Sequence, residues 1–266
     1  MTAGPLSETR IGESGPWVVF CHGLFGRGKN FTSQAKALQP DFRSLLLDMP
    51  DHGSSPWTEK FDYAEAARML AEHLRAGVAA EGPVHVVGHS MGGKIAMTLA
   101  LEAPELVDRL VVVDITPTGS SAVSEFAHYL DSLLRIDVDA LRSHGDADRA
   151  LAQDVPQPYL RGFFLQNLRR DRDTKTFHWQ PNLQLLRRDL ELITGDIPHE
   201  DRTFDRPVLW MAGGDSDYIT PEHGPGMRRL FPRAVQVTIK DAGHWVHSQQ
   251  PESFVETVRY FLSPRD

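Results

Sequence analysis

Short runs of Val, Ile and Leu alternate along the chain with longer stretches in which apolar residues recur at helical spacing. The apolar runs are nearly continuous, as expected for parallel strands that are buried on both faces. They predict strands at 17–21, 44–47, 84–87, 110–114, 208–212 and 235–239. A further run at 6–11 is predicted to pair antiparallel with the first of these strands at the edge of the sheet.

The amphipathic stretches between these runs predict helices. Strand and helix in alternation indicate a mostly parallel α/β sheet with right-handed crossovers and helices on its flanks. The clearest helical patterns lie at 63–80, 90–103, 222–230 and 251–262.

The alternation stops once, from about residue 116 to residue 206, where we find no strand-like run. Proline residues divide this part of the chain into helix-like pieces. These pieces lie at 121–134, 139–153, 159–168 and 182–194. We therefore expect a core made of 1–116 and 203–266, with 117–202 inserted as a helical cap over the carboxyl edge of the sheet.

The segment Gly88-His89-Ser90-Met91-Gly92 lies between a predicted strand and a predicted helix. A serine between glycines at such a junction occupies a sharp, strained turn that exposes its hydroxyl group. The N-terminus of the following helix stabilises negative charge that develops there. The pattern therefore predicts Ser90 as a nucleophile.

A nucleophilic serine needs a general base, and His244 lies in the loop that follows the last predicted strand. We predict His244 as the base that removes the serine proton. His247, three residues later, is the alternative. His89 is next to Ser90 in the sequence, but its side chain is expected to point away because adjacent side chains diverge on a turn.

Two carboxylates are candidates to orient the base. Asp217 follows the predicted strand at 208–212, which is the usual position for the acid in such folds, and Asp114 ends the preceding strand. Both strand ends border the same cleft, so either carboxylate can reach His244. Asp215 is a weaker third candidate.

The loop after the first buried strand supplies the remaining part of an acyl-transfer site. Gly23 allows a close turn there, so the backbone N–H of Leu24 is predicted to pair with that of Met91 around an oxyanion. Phe25 is expected to line the pocket, and His22 to have a structural role.

The aromatic residues of the cap are candidates for an apolar acyl pocket, and we select Phe163 and Trp179 as predicted substrate contacts. The full set is Phe126, Tyr129, Phe163, Phe164, Phe177 and Trp179.

Composition narrows the choice of partner. The chain has 266 residues, is 41% hydrophobic and carries a net charge of −8, which disfavours nucleic acids and anionic membrane surfaces as partners. One cysteine, Cys21, cannot form an intramolecular disulfide, and we expect a cytoplasmic protein without a membrane span. The sequence lacks HExxH, paired-cysteine and phosphate-loop motifs, so we expect neither a metal nor a cofactor.

Five blocks of this sequence together resemble the α/β-hydrolase superfamily with a helical cap, and in particular its branch of small YbfF-like acyl esterases. The blocks are HGLFG at 22–26, DMPDHGSS at 48–55, GHSMGGK at 88–94, VVVDITP at 111–117 and AGHWVH at 242–247. The resemblance implies an α/β-hydrolase fold and the chain order Ser, Asp, His. It also implies that Asp114 is the acid and that Ser216 assists it, whereas Asp217 holds the commoner acid position of the superfamily.

The function expected from these features is hydrolysis of carboxylic esters or thioesters of short to medium acyl chains through an acyl-enzyme. The partner is then a small-molecule acyl ester or thioester. Two alternatives remain open. The same triad supports acyl transfer to another acceptor, and the fold also occurs in ligand-binding proteins without turnover.

Overall fold

The structure, a computed structural model, describes residues 4–119, 123–199 and 201–264. Outside the region from 116 to 206, its strands coincide with the predicted apolar runs to within three residues at either end. In the described part of the chain they are β1 (Glu8–Ile11), β2 (Trp17–Cys21), β3 (Arg43–Leu47), β4 (Val84–His89), β5 (Val107–Val113), β6 (Leu168–Arg170), β7 (Phe177–Trp179), β8 (Val208–Gly213) and β9 (Ala234–Ile239).

Seven of these described strands form one sheet in the order β1-β3-β2-β4-β5-β8-β9. Every pairing is parallel except that of β1 with β3. The predicted α/β fold is therefore confirmed.

The predicted partner of the first strand is wrong, because β1 pairs with β3 and not with β2. The turn that leaves β1 passes against the chain that enters β3. A Cβ on Gly15 would lie 2.0 Å from the carbonyl oxygen of Asp41, and Gly12 and Gly15 have φ angles of +93° and +89°. This glycine turn lets β3 occupy the place between β1 and β2.

The inner strands are buried on both faces, which explains their continuous apolar sequences. Alternate residues of β2 enter two separate hydrophobic clusters: Val19 and Cys21 pack on one face of the sheet, and Val18 and Phe20 on the other. The edge strand β9 differs, since Val235 is 54% exposed.

Helices cover both faces of the sheet. Helix α2 ends earlier than residue 80 because Gly77 leaves the helical conformation, and a 3₁₀ turn follows at Val78–Glu81. The α-helices of the described residues are α1 (Thr32–Ala37), α2 (Tyr63–Ala76), α3 (Met91–Glu102), α4 (Val123–Leu134), α5 (His144–Leu151), α6 (Pro158–Leu165), α7 (Leu183–Arg188), α8 (Leu190–Thr194), α9 (Gly224–Leu230), α10 (Val246–Gln249) and α11 (Pro251–Leu262). In this part of the chain, no helix combines the length and apolar character needed to cross a membrane.

The insertion between β5 and β8 contains α4 to α8, but it also contains a hairpin formed by β6 and β7. The expectation that this region has no strand is wrong. Its strands are three residues long, too short for an alternating pattern to appear in the sequence. The carboxylate of Asp171 accepts the amides of Asp173 and Thr174 in the turn, and Leu168 and Phe177 are buried. The predicted start of the first insertion helix, at residue 121, lies outside the described residues.

The insertion packs on loops that follow the carboxyl ends of the core strands. Asn182 N–H donates to the carbonyl of Asp51 at 2.9 Å, and Asn167 Nδ2 donates to the carbonyl of Phe25 at 2.6 Å. Asp189 accepts the amide of Phe61 at 2.8 Å. We propose on this basis that 117–202 form a cap and that 1–116 with 203–266 form the core.

Helix α3 approaches the sheet at a distance that requires glycine. A Cβ on Gly92 would lie 2.4 Å from the carbonyl oxygens of both Cys21 and His22. A Cβ on Gly88 would lie 2.4 Å from the carbonyl oxygen of Gly92. These contacts fix the start of α3 against the ends of β2 and β4.

We predict that Gly92→Ala lowers the free energy of unfolding by about 1–3 kcal/mol, because its methyl group forces α3 away from β2. Urea denaturation measures the change. Gly226→Ala is the matched control, since a Cβ there meets nothing within 4 Å. It is expected to leave stability unchanged or to raise it by about 0.5–1 kcal/mol. If Gly92→Ala were as stable as the unmodified protein, the claim that α3 approaches β2 too closely for a side chain at position 92 would be wrong.

Candidate active site

Ser90 occupies the turn between β4 and α3. Its φ and ψ angles are 53° and −123°, a backbone conformation that a non-glycine residue adopts only where its surroundings impose it. The backbone amide of Ser90 donates to the carbonyl of Val113 at 3.1 Å, which ties the turn to β5. The side chain stands at the carboxyl edge of the sheet, and the residue is 6% exposed.

His244 lies between Ser90 and Asp114. Its Nε2 is 3.0 Å from Ser90 Oγ, and its Nδ1 is 2.9 Å from Asp114 Oδ2. A carboxylate oxygen accepts hydrogen bonds but does not donate them. We therefore assign the ring proton of His244 to Nδ1, the nitrogen that faces Asp114 Oδ2. Nε2 is then free to accept the hydroxyl proton of Ser90.

Asp114 is fully buried and has a φ angle of 50°, which turns its carboxylate towards the cleft. Oδ1 accepts the backbone amide of Gly213 at 2.9 Å. Oδ2 accepts the hydroxyl of Ser216 as well as His244 Nδ1. These donors satisfy a carboxylate that would be costly to bury alone.

The other two candidate acids lie outside this network. Asp217 and Asp215 are both exposed, and His244 bonds to Asp114 instead. The structure therefore brings together Ser90, His244 and Asp114, with Ser216 bonded to the carboxylate.

The loop that follows β2 lies directly against Ser90. A Cβ on Gly23 would lie 2.9 Å from His89 Nδ1 and 3.0 Å from Ser90 Cβ, so this close approach favours glycine. Leu24 and Met91 both line the cavity at Ser90. Met91 is the first residue of α3, and an amide at that position has no acceptor within its own helix.

A small cavity of about 20 Å³ lies at Ser90. This volume accommodates about one water molecule and no acyl chain. The core contributes Leu24, Ser90, Met91, Lys94, Ile115 and Tyr218 to its lining, and the insertion contributes Phe126, Ile193 and Thr194.

The three predicted substrate contacts lie outside the lining of this cavity. Phe25 is buried beside it, with its ring centroid 4.9 Å from that of Phe164. Trp179 belongs to β7 of the hairpin. Phe163 lines a different and larger groove of about 600 Å³, together with Trp245.

This larger groove lies next to the hydrogen-bonded residues Ser90 and His244. Neither Ser90 nor His244 lines it, although the Trp245 ring that does lies 5.6 Å from the imidazole of His244. The groove also contains the polar side chains of Asn30 and Gln34. Ser90 thus lines the small cavity, whereas Trp245 contacts His244 and also lines the groove.

Two buried histidines support the loop that carries His244. His89 Nε2 bonds to the carbonyl oxygen of His244 at 2.8 Å, so its side chain turns away from the hydroxyl of Ser90. His247 lies in α10, and its ring is 4.8 Å from that of His89. Burial lowers the pKa of His89 well below its usual range and the pKa of His247 to about 3, so both are neutral near pH 7.

His22 and Cys21 are buried at the end of β2 and the start of the loop that follows. His22 Nδ1 donates to the carbonyl of Gly23 at 2.8 Å, and its Nε2 accepts the amide of Met49 at 2.9 Å. Burial lowers the pKa of His22 to about 3 and raises the pKa of the Cys21 thiol to about 12. His22 therefore bridges two loops as a neutral ring, and the thiol stays protonated.

Tyr218, Lys94 and Ile193 are among the residues that the structure places at the site and that sequence reasoning missed. The Tyr218 ring stacks on the His244 imidazole, with centroids 3.9 Å apart and planes 18° apart. Lys94 and Ile193 line the cavity. Tyr218 follows the candidate acids Asp215 and Asp217 in the sequence, which indicated that its loop borders the site. The sequence does not reveal that its ring stacks on His244, because this contact depends on how the loops after β8 and β9 lie relative to each other.

Within residues 4–119, 123–199 and 201–264, no group of three or more His, Cys, Asp or Glu side chains is arranged to hold a metal ion. The arrangement of Ser90, His244 and Asp114 suits nucleophilic attack on a carbonyl with transfer of the hydroxyl proton to the imidazole.

Comparison with known proteins identifies relatives of this chain. The sequence pattern of the alpha/beta hydrolase family matches residues 18–257. The sn-1-specific diacylglycerol lipase ABHD11 of Mus musculus is 38% identical over 255 residues, which cover 93% of this chain and 81% of that protein. Esterase YbfF of Escherichia coli (strain K12) is 28% identical over 248 residues, covering 92% of each chain.

Among solved structures, a marine microorganism esterase matches with a TM-score of 0.93 and 32% identity, over 97% of this chain and 99% of that one. The resemblance seen in the five sequence blocks is thereby confirmed. The chain belongs to the α/β-hydrolase family, among relatives of the esterase and lipase type.

Proposed function

We propose that this chain is a serine hydrolase that cleaves carboxylic esters or thioesters of short to medium acyl chains. The observation that carries the proposal is the continuous hydrogen-bonded series from Asp114 through His244 to Ser90 Oγ. The names of the related esterases and of the diacylglycerol lipase support the same class of substrate.

In the first step, Ser90 Oγ attacks the carbonyl carbon while His244 Nε2 accepts the hydroxyl proton. The imidazole becomes positively charged, and the buried carboxylate of Asp114 stabilises that charge. Asp114 also fixes the tautomer that leaves Nε2 available as the base. The stacked ring of Tyr218 holds the imidazole plane in place.

The carbonyl oxygen becomes an oxyanion as the new bond forms. We assign the amides of Leu24 and Met91 as its donors, and the N-terminus of α3 adds a favourable dipole. The tetrahedral adduct then breaks its bond to the leaving group, which takes the proton held by His244. Water repeats the sequence on the acyl-enzyme, releasing the carboxylic acid and restoring Ser90.

Ser216 has a supporting role in this proposal. Its hydroxyl donates to Asp114 Oδ2, the same oxygen that accepts from His244. This bond holds the carboxylate in one orientation between the loops after β5 and β8. We therefore assign the acid to Asp114 and the assisting role to Ser216.

The acyl group is proposed to enter on the side of Phe126 and Ile193. Since the cavity there measures about 20 Å³, the cap must shift before an acyl chain can bind. Apolar side chains on both the core and the insertion then surround the chain.

Acyl transfer remains a second candidate because of the 600 Å³ groove beside Trp245. His244 protonates the leaving group, so the leaving alcohol, and an acceptor alcohol that replaces it, must lie close to His244. Trp245 is the next residue, and it lines the groove. A groove of this size with the polar side chains of Asn30 and Gln34 can hold an acceptor alcohol in place of water. Product analysis with added alcohol separates the two reactions.

We predict that Ser90→Ala lowers kcat for p-nitrophenyl acetate and butyrate by about 10⁴-fold or more, since the nucleophile is lost. Release of p-nitrophenol measures the rate, and a fluorophosphonate probe is expected to label the unmodified protein but not the variant. The matched control is Ser14→Ala, which removes the hydroxyl of an exposed serine that bonds to the Pro40 carbonyl at 3.2 Å. Near-normal turnover by Ser90→Ala would exclude the proposed nucleophile.

A second prediction separates the two carboxylates. Asp114→Asn should lower kcat by about 10³–10⁴-fold, because asparagine does not stabilise the imidazolium or hold the correct tautomer. Asp217→Asn should retain activity within about twofold, as expected for an exposed side chain outside the network. Steady-state kinetics with p-nitrophenyl butyrate measures kcat for both variants. The two substitutions are matched, because each replaces a carboxylate with an amide of the same shape. A larger loss in Asp217→Asn than in Asp114→Asn would reverse the assignment.

A further inference from the structure

Lys94 is a buried cation next to the proposed nucleophile. It is the fourth residue after Ser90, one turn along α3, and it is 1% exposed. Lys94 and Ser90 line the same small cavity. An ammonium group in such a place needs polar partners, because burial without them is costly.

The partners of Lys94 are backbone carbonyls at the two ends of the insertion. Nζ donates to the carbonyl of Thr118 at 2.8 Å, to that of Thr194 at 3.4 Å, and to that of Gly195. Thr118 lies where the chain leaves the core after β5, and Thr194 and Gly195 lie where α8 ends and the chain returns. The three N–H donors of the ammonium therefore match three carbonyls.

Other bonds join these two connections to each other. Ile197 N–H donates to the carbonyl of Pro117 at 2.9 Å, and Gly119 N–H donates to Asp196 Oδ1 at 2.6 Å. Lys94 adds a different link, because it ties both connections to α3, the helix that directly follows Ser90.

This link bears directly on the cavity. Ile193 and Thr194 form part of its wall on the insertion side, and the carbonyl of Thr194 is one that Lys94 holds. We propose that Lys94 is a positioning residue that sets the depth of the acyl pocket by holding both connections of the cap against α3. The inference rests on the proposed function, since it assigns the acyl-chain preference of that reaction.

The link depends on protonation. Burial lowers the pKa of Lys94 to about 8, and the charge of Asp196 opposes this shift. A neutral amine has two N–H donors for three carbonyls, so the attachment is complete below about pH 8 and incomplete above it. Two phenols also face the region: Tyr63 of α2, whose ring centroid is 6.0 Å from Nζ, and Tyr218 across the cavity. Burial raises the pKa of both phenols, so neither titrates in this range.

The experiment measures kcat/KM for p-nitrophenyl octanoate and p-nitrophenyl acetate from pH 6.5 to 9.5, after subtraction of spontaneous hydrolysis. The ratio of the two values is the readout, because any change in the reactivity of the groups that both esters share affects the two alike. In the unmodified protein we expect the octanoate-to-acetate ratio to rise by about fivefold or more through pH 8, as the pocket wall is released.

Variants test the same link independently of pH. Lys94→Met should have the high ratio at every pH, and Lys94→Gln, which keeps two N–H donors, should be intermediate. Asp196→Asn should move the midpoint to lower pH, because it removes the charge that favours the ammonium while Oδ1 still accepts from Gly119. The control Lys36→Met makes the same change on an exposed position of α1 and should match the unmodified protein.

A flat ratio in the unmodified protein, with Ser90-dependent hydrolysis of both esters, overturns this inference alone. So does Lys94→Met if it slows both esters by the same factor. If circular dichroism shows that Lys94→Met does not fold, the pH profiles of the unmodified protein and of Asp196→Asn decide the matter. Absence of Ser90-dependent hydrolysis of either ester overturns the proposed function together with the inference.

Discussion

The structure depends on the close contact of α3 with the ends of β2 and β4. A Cβ at Gly88 or Gly92 would lie 2.4 Å from a backbone carbonyl oxygen, so only hydrogen fits at either position. With the helix this near to the sheet, the turn that joins them is sharp, and Ser90 in this turn has a φ of 53°. Such a conformation costs about 1–3 kcal/mol, and the packed strand and helix on either side maintain it. The turn directs the hydroxyl group outward, towards the carboxyl edge of the sheet.

The same edge brings the other groups to this hydroxyl. Strands β4, β5, β8 and β9 are consecutive in the sheet, so the loops after them lie side by side. Asp114 follows the direct neighbour of β4, and the loop after β8 supplies the Gly213 amide and the Ser216 hydroxyl that hold its carboxylate. His244 comes from the loop after β9 and completes the series. The proposed acid, Asp114, thus lies between the strand that precedes Ser90 and the loop that fixes its carboxylate, whereas Asp217 is exposed to solvent.

The sequence predicts those features that depend on neighbouring residues. Continuous apolar runs identified the strands of the main sheet, and the glycines around Ser90 indicated the strained turn. Contacts between distant segments could not be predicted in this way. The pairing of β1 with β3 depends on a glycine turn that passes against Asp41. The choice of acid depends on side-chain direction, since both carboxylates follow strands that end at the same edge.

The cap shows the limit of sequence patterns most clearly. Its strands are three residues long, and most of its helices are short. The spacing of aromatic residues over such short elements does not indicate which of them face the site. Trp179 lies in the hairpin, Phe163 faces the larger groove, and Phe126 reaches the cavity at Ser90. The link made by Lys94 was equally hidden, because its partners are backbone carbonyls that no side-chain pattern reveals.

The most direct measurement is a crystal structure of the protein after reaction with a p-nitrophenyl alkylphosphonate, which imitates the tetrahedral adduct. The account predicts phosphorus bonded to Ser90 Oγ, with the phosphonyl oxygen about 2.7–3.1 Å from the amide nitrogens of both Leu24 and Met91. An adduct on another residue, or a phosphonyl oxygen directed away from both amides, would contradict it.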